Sequence, residues 1–239
     1  MIKVEHLKKS YGENEVLKDI SFTVARGEVV ALIGFSGSGK STALRIVAGL
    51  DKCDAGTVEL SSEKVSMSFQ YSALFDSLSV RDNIAFPFEV GENLKPLSLD
   101  VINKKVDDTL NLVGLPNTQD LFPAQLSGGM KKRVSFARAI IDDPEIILYD
   151  EPTAGLDPMA STVIEDLIVK LQHKMNAASV VVTHQDTTIK RTAQRVLMLY
   201  GGCLVWEGTP EELFNPKNDN PFAKQFREGA VEGPMNLLS

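Results

Sequence analysis

The chain has little cysteine, no long apolar run and no excess of basic residues. Two of its 239 residues are cysteines, so no disulfide framework is expected and a reducing compartment is favoured. No apolar run approaches the roughly 20 residues that span a bilayer, and the first residues lack the apolar core of a signal peptide. The formal charge of −7, from 32 acidic and 25 basic residues, argues against nucleic acid as the main ligand. These absences predict a cytoplasmic protein that would reach a membrane through another chain.

The most informative motif runs from residue 34 to residue 42. Its sequence, GFSGSGKST, fits the pattern G-x-x-x-x-G-K-[ST], in which backbone N–H groups and a helix N-terminus surround phosphate oxygens. Lys40 can reach the β- and γ-phosphates, and the hydroxyl of Ser41 can bind Mg²⁺. The alternative is a Gly/Ser-rich turn with an incidental lysine. The buried strand predicted at 28–33 and the helix predicted at 41–50 disfavour that alternative. We therefore predict a nucleoside triphosphate site formed by Gly34, Phe35, Ser36, Gly37, Ser38, Gly39, Lys40, Ser41 and Thr42.

Apolar strands alternate with helices over most of the chain, which predicts an α/β fold with a mostly parallel sheet. The stretch 71–143 departs from this pattern and is predicted to be helical. The Asp157–Pro158 pair has the N-cap and N1 residues that begin a helix. That helix is predicted to place Val163, Ile164, Leu167, Ile168 and Leu171 on its core face.

Four polar residues follow predicted strands, where an open α/β sheet presents its ligands. Asp150 suits a carboxylate acting on Mg²⁺, and Glu151 could polarise the attacking water. His184 could donate to a γ-phosphate oxygen, and Gln70 follows another predicted strand. Taken singly, these residues have ordinary alternatives. Asp150 and Glu151 could be a solvated acidic pair at a strand end, His184 could be a structural histidine, and Gln70 alone indicates little.

Two longer motifs resemble those of ABC-transporter ATPases. Residues 126–133, LSGGMKKR, resemble the signature motif, and residues 151–158, EPTAGLDP, are similar to the run from Walker B to the D-loop. Gln70 then matches the Q-loop, His184 the H-loop and Tyr11 the A-loop aromatic residue that stacks on adenine. The resemblance covers residues 1–228 with all motifs in family order.

The resemblance implies an ATPase with ATP and Mg²⁺ as ligands. Glu151 would be the catalytic base, with His184 and Gln70 as further catalytic residues, and Ser41, Gln70 and Asp150 would serve the metal. The implied fold is a P-loop NTPase core with a mostly parallel sheet, an antiparallel β-subdomain and a helical subdomain. We expect one domain over 1–239, in which 1–70 and 144–220 form the core with the β-subdomain, 71–143 the helical subdomain and 221–239 a C-terminal tail.

The resemblance also implies a head-to-tail dimer, in which the signature of one subunit closes on the nucleotide of the other. The chain has one P-loop and one signature, so a second copy or a homologue is required. The hydroxyl of Ser127 and the backbones of Gly128 and Gly129, which carry no side chain, would form a second anion-binding nest at a helix N-terminus. Met130 stands where many members have glutamine, which leaves the nest backbone intact. The residues assigned to nucleotide binding on this basis are Ser127, Gly128, Gly129 and Asp157.

Residues 130–133, 72–79, 82–87 and 225–234 most resemble the ATPase of MCE-associated lipid transporters, the Mla-type phospholipid system. This implies a membrane permease, an MCE-domain substrate-binding protein and, in some lineages, a STAS-type regulator, with the ATPase peripheral on the inner face of the membrane. An importer or exporter ATPase for another cargo remains an alternative. A soluble ABC ATPase acting on DNA or ribosomes is disfavoured, because only 87 residues separate Lys40 from Ser127. A regulatory subunit without turnover is disfavoured by Glu151 and His184.

The tail after Asn220 is apolar but interrupted. Phe222 and Phe226 would share one face of a short helix, while Gly229, Gly233 and Pro234 exclude a long one. The alternatives are a frayed terminus and, as we expect, a tail whose apolar residues Met235, Leu237 and Leu238 pack on the second subunit.

Overall fold

The computed structural model describes residues 1–70, 72–88 and 97–236. Position 71, where the predicted helical subdomain starts, and the tail residues Leu237 and Leu238 lie outside these ranges. The described residues form nine strands in one sheet of order β4-β1-β2-β9-β8-β3-β7-β6-β5. The strands are β1 (Ile2–Tyr11), β2 (Asn14–Val24), β3 (Val29–Ile33), β4 (Ala55–Leu60), β5 (Val65–Ser68), β6 (Ile146–Asp150), β7 (Ala178–Val182), β8 (Arg195–Tyr200) and β9 (Cys203–Gly208).

The sheet has a parallel part and an antiparallel part, as predicted. β3 pairs in parallel with β7 and β8, and β6 pairs in parallel with β5 and β7. β1 pairs antiparallel with β2 and β4, and β8 and β9 form a hairpin. The two parts meet where Asp19 pairs with Cys203. β3 and β7 are buried at every position, because strands covered on both faces are apolar throughout.

Polar residues fix the starts of several helices. Ser98, Asp157 and Thr209 accept hydrogen bonds from backbone N–H groups of the first turns that follow them, as the capping pattern predicts. In the described part of the chain no helix is both long and apolar enough to cross a membrane. The helices are α1 (Lys40–Val47), α2 (Val80–Ala85), α3 (Leu99–Leu112), α4 (Gly128–Ile140), α5 (Pro158–Met175), α6 (Asp186–Thr192), α7 (Pro210–Leu213) and α8 (Pro221–Glu228), with 3₁₀ turns at Phe86–Phe88 and Pro123–Gln125.

The described residues of 71–143 contain helices and turns but no strand. Their apolar side chains share one core cluster with α5 and β6, and the rings of Phe136 and Tyr149 lie 5.3 Å apart between α4 and β6. On α5 the predicted core face is buried except for Val163, which is 49% exposed. That prediction is wrong for Val163, because the buried stripe of Ile164, Leu167, Ile168 and Leu171 leaves its side of the helix outside the core.

A separate core cluster joins the C-terminal residues to the edge of the parallel sheet. Met235 is fully buried in it, beside residues of β3, β8 and α8. The prediction that Met235 packs on a second subunit is therefore wrong, because its own chain encloses it. Burying a methionine side chain contributes roughly 1.5–3 kcal/mol, which favours an ordered fold-back over a frayed end up to residue 236.

Candidate nucleotide site

The loop between β3 and α1 has a backbone that only glycine fits at its two ends. Gly34 and Gly39 have φ values of 146° and 99°, and a Cβ at Gly34 would lie 2.2 Å from the carbonyl oxygen of Leu199. At Gly39 a Cβ would lie 2.7 Å from Leu17. Gly39 also precedes α1 without a side-chain cap. The N–H groups of the first turn are therefore free of side-chain acceptors, which is the geometry of an anion cradle.

Lys40 is held by the loop it follows. Its Nζ donates to the carbonyl oxygens of Gly34 at 2.9 Å and Phe35 at 2.8 Å. Burial lowers the pKa of Lys40, while Asp150 and Glu151 oppose that change. The ammonium group is thus fixed in position beside the cradle, where it can attract a phosphate.

A cavity of about 800 Å³ opens over this loop. It is lined by most of the predicted loop residues together with Gln70, Glu151 and His184, which lie up to 150 positions apart in the sequence. The structure therefore brings together the predicted residues that follow β5, β6 and β7. Four lining residues were missed by sequence reasoning, since no motif marks them, namely Asn14, Val16, Asp186 and Phe226.

Ser41 and Asp150 form the candidate metal position. The Ser41 hydroxyl donates to Oδ1 of Asp150 at 3.0 Å. Burial raises the pKa of Asp150, and the hydrogen bond from Ser41 opposes that change. Within the described ranges, no group of three or more His, Cys, Asp or Glu side chains could hold a metal. A hydroxyl and one carboxylate fit Mg²⁺ all the same, because Mg²⁺ uses few protein oxygens and completes its shell with water and substrate phosphates.

Glu151 presents an unused acceptor beside the cradle. Its Oε1 lies 2.9 Å from Nδ1 of His184, whereas its buried Oε2 has no hydrogen-bond partner among the described residues. Buried polar atoms are rarely left unpaired, so such an atom calls for an explanation. A carboxylate oxygen with free lone pairs fits an acceptor for a water proton.

The Q-loop position is tethered to the signature helix. The Nζ of Lys132, on α4, donates to the backbone carbonyl oxygen of Gln70. Lys132 is only 5% exposed, and burial lowers its pKa against the opposing charges of Asp150 and Glu151. Sequence reasoning missed this lysine. The available signal was its position three and four residues before Ser135 and Phe136, on the buried face of α4.

Tyr11 lies outside the residues that line the cavity. It ends β1 with half of its surface exposed, and its hydroxyl donates to Asp51. The Nζ of Lys9 lies 5.1 Å from the ring centroid, close enough for a cation–π contact. The structure thus holds the ring through its hydroxyl and leaves half of the residue's surface exposed.

The signature residues line a different, smaller cavity of about 360 Å³. Ser127 caps α4 by accepting from the N–H of Met130 at 3.3 Å. Asp157 lines the same cavity and caps α5 through the N–H groups of Met159 and Ala160. The structure therefore groups Ser127, Gly128, Gly129 and Asp157 together and separates them from the P-loop cavity.

A glycine cradle with a fixed lysine, the Ser41–Asp150 pair and the half-buried Glu151 after a parallel strand are the features of the P-loop nucleoside triphosphatase class. The family model described as ABC transporter matches residues 17–154, which is more than half of the chain. The chain belongs to the ABC transporter family, as its nucleotide-binding ATPase part, and the predicted family is confirmed.

Three relatives show how far the similarity extends. Protein TRIGALACTOSYLDIACYLGLYCEROL 3 of Arabidopsis thaliana is 43% identical over 98% of this chain and 75% of its own length. The arginine transport ATP-binding protein ArtM of Bacillus subtilis is 41% identical over 95% of this chain and 99% of its own length. The ATP-binding cassette MJ0796, solved as a dimer bound to ADP and Pi, superimposes with a TM-score of 0.79 at 30% identity, over 88% of this chain and 99% of that chain.

Proposed function

We propose that this chain is the Mg²⁺-dependent ATP-hydrolysing subunit of a lipid transporter. The observation that carries the ATPase part is the arrangement around one cradle: Ser41 lies 3.0 Å from Asp150, and Glu151 has an unpaired buried oxygen. The proposed phosphate-binding residues, Ser41 of the proposed metal pair and the proposed base Glu151 line a single cavity, which supports phosphoryl transfer to water.

The proposed roles follow from these contacts. The loop 34–39, Lys40 and Thr42 bind the phosphates, while Ser41 and Asp150, with Gln70, would hold Mg²⁺. When bound, that ion neutralises charge on the β- and γ-phosphates. Oε2 of Glu151 accepts a proton from the attacking water. The contact of Oε1 with Nδ1 of His184 orients the imidazole, so that Nε2 remains available to the γ-phosphate.

We propose that two copies act as a head-to-tail dimer, with Ser127, Gly128, Gly129 and Asp157 reaching the nucleotide of the partner. Supporting this, the signature residues line a cavity of their own, so one chain does not bring them to its own P-loop. The dimeric state of the MJ0796 cassette with ADP and Pi agrees with the proposal. Tyr11 would stack on adenine.

The lipid part of the proposal is supported by the relative from Arabidopsis, which is named for a galactolipid. The proposed partners are an integral membrane permease, an MCE-domain protein and a STAS-type regulator, with the ATPase on the inner face of the membrane. An amino-acid cargo is the second candidate, favoured by the 41% identity to an arginine transport protein.

Phosphate release by the purified chain tests the ATPase part. We expect release to require Mg²⁺ and to stop with EDTA. Lys40→Ala should weaken ATP binding roughly 10- to 100-fold, because the cradle loses a charge-assisted donor. Lys104→Ala is the control, since Lys104 is an exposed residue of α3. Hydrolysis that continues unchanged in Lys40→Ala would overturn the proposed site.

Reconstitution tests the cargo. The membrane protein that copurifies with the chain would be placed with it in vesicles, and hydrolysis measured with added phospholipid or with arginine. Stimulation by phospholipid alone is expected. Stimulation by arginine alone would overturn the lipid proposal and leave the ATPase proposal standing.

A further inference from the structure

We infer that α8 belongs to the nucleotide site and that Phe226 positions the P-loop through Phe35. This inference rests on the proposed function, because it assigns a role in ATP binding. Phe226 lines the same cavity as the P-loop residues. Its ring centroid lies 6.5 Å from that of Phe35, with the ring planes inclined at 58°. This is a favoured geometry for aromatic pairs.

Phe35 is the residue through which such a contact can act on the cradle. The loop 34–39 otherwise consists of three glycines and two serines, so the Phe35 ring is its one large side-chain anchor. The carbonyl oxygen of the same residue accepts from Nζ of Lys40 at 2.8 Å. A displacement of the Phe35 ring therefore moves a backbone group that fixes the phosphate-binding ammonium.

The residues after α8 hold that helix in place. Gln225 is 3% exposed, its Nε2 donates to the carbonyl oxygen of Met235 at 2.8 Å, and its Oε1 accepts from the N–H of Met235 at 2.8 Å. Gly233 lies against this amide so closely that a Cβ there would stand 2.4 Å from Cδ of Gln225. One buried side chain thus joins α8 to the fold-back that follows it.

Both ends of the fold-back are also fixed. Asn220 caps α8 by accepting from the N–H groups of Phe222 and Ala223 at 3.1 and 3.2 Å. At the far end, the N–H of Asn236 donates to the hydroxyl of Tyr200 at 2.7 Å. Residues 220–236, which we call the C-terminal brace, therefore form one packed unit against the P-loop and β8.

Phe222 provides a matched control within the same helix. It lies one turn before Phe226, is also half-buried, and its ring packs 6.4 Å from that of Tyr200 rather than on the P-loop. Truncating either ring removes a comparable apolar contact from the brace. Only the truncation of Phe226 removes the contact with Phe35.

The test compares Phe226→Ala with Phe222→Ala by thermal unfolding, by the Kd for MgATP and by KM and kcat. We expect Phe226→Ala to raise Kd and KM about 3- to 10-fold with a smaller effect on kcat, and Phe226→Tyr, which keeps the ring, to restore wild-type values. Phe222→Ala should lower the melting temperature similarly without moving Kd. The double variant Phe35→Ala/Phe226→Ala should cost less than the sum of the single variants, as for residues in contact.

Equal effects of the two truncations on Kd, or strict additivity with Phe35→Ala, would overturn the inference while leaving the proposed function intact. If Phe226→Ala does not fold, Phe226→Leu against Phe222→Leu makes the same comparison with a smaller loss of packing. A wild-type chain that binds no MgATP would overturn the proposed function, and this inference with it.

Discussion

Two helices in the described part of the chain, α1 and α4, have glycines at their N-termini, and these N-termini are built differently. At α1 the capping position is Gly39, with no side-chain cap, and Lys40 donates to the carbonyl groups of its own loop. At α4 the Ser127 hydroxyl already accepts from the first turn, and the cation of that cavity, Arg133, donates to the carbonyl oxygen of Gly114.

The acidic groups follow the same division. Asp150 and Glu151 adjoin the first cradle, which is the one at the N-terminus of α1. The carboxylate beside the second cradle, at the N-terminus of α4, is that of Asp157, and it caps α5. The first cradle has a positioned charge, a candidate metal position and a candidate proton acceptor. The second offers hydrogen-bond donors and little else. The difference agrees with the proposed roles, in which the helix end at α1 binds and hydrolyses the nucleotide and the helix end at α4 completes the site of a partner subunit.

The largest expected effect comes from removing the proposed base, Glu151. Glu151→Gln keeps size and hydrogen bonding but loses basicity, so phosphate release at saturating ATP should fall about 10²- to 10⁴-fold while ATP binding persists. Glu211→Gln, at an exposed glutamate of α7, is the control. Turnover within a factor of two of wild type would show that another group accepts the proton.

A negative charge placed in the second cradle should lower ATP turnover without changing the affinity of the isolated chain for ATP. Gly129→Glu sets a carboxylate where the partner's phosphates would approach, and like-charge repulsion of several kcal/mol should lower turnover roughly 100-fold. The Kd of the isolated chain for ATP should stay at its wild-type value. Gly129→Ala is the matched control, because its Cβ would meet only the Cβ of Ala160, at 3.6 Å. A large loss of ATP affinity in the isolated chain would contradict the separation of the two cradles.

Removing the ring of Tyr11 should have a smaller effect, confined to binding. Base stacking is worth roughly 1–3 kcal/mol, so Tyr11→Ala should raise the Kd for ATP about tenfold. Tyr11→Phe keeps the ring but loses the hydrogen bond to Asp51, and it should bind ATP as the wild type does. Equal affinity of all three proteins would assign adenine recognition to another residue.

The smallest expected effect is on stability and concerns Asp150. Burial raises its pKa above the ordinary 3.8, so the folded chain holds this proton more tightly than the unfolded chain. This contribution to stability is complete below about pH 4 and is lost as the pH rises through the raised pKa. In nucleotide-free protein, the melting temperature of the wild type should therefore fall relative to that of Asp150→Asn as the pH rises across this window. A difference that does not change with pH would contradict the assignment.

Local signals predicted much of the first cradle. The motif 34–42, the capping residue Asp157 and the polar residues after each strand all lie next to the elements that position them. The error at Val163 arose because adjacent helical positions point about 100° apart, and periodicity alone did not decide where the buried stripe ends.

Long-range contacts could not be predicted in this way. Phe226 reaches the P-loop from 191 positions away, and Lys132 reaches Gln70 from 62. The neighbouring sequence does not indicate which distant surface an apolar ring or a buried lysine will contact. The fold-back of Met235 onto its own chain has the same cause, since apolar character predicts burial but not the partner.

Glu151 lies in the left-handed region of the backbone, with φ at 46°, a conformation that Asn176 and Asn117 also adopt. Asparagine and glycine tolerate it, whereas other residues lose about 1–2 kcal/mol. Glu151→Gly should therefore unfold at a higher temperature than Glu151→Gln, which keeps the strain, and both variants should share the large loss of phosphate release predicted above for Glu151→Gln. The residue that would most stabilise the fold at this position is therefore not the proposed base, so selection for heat resistance alone would replace Glu151.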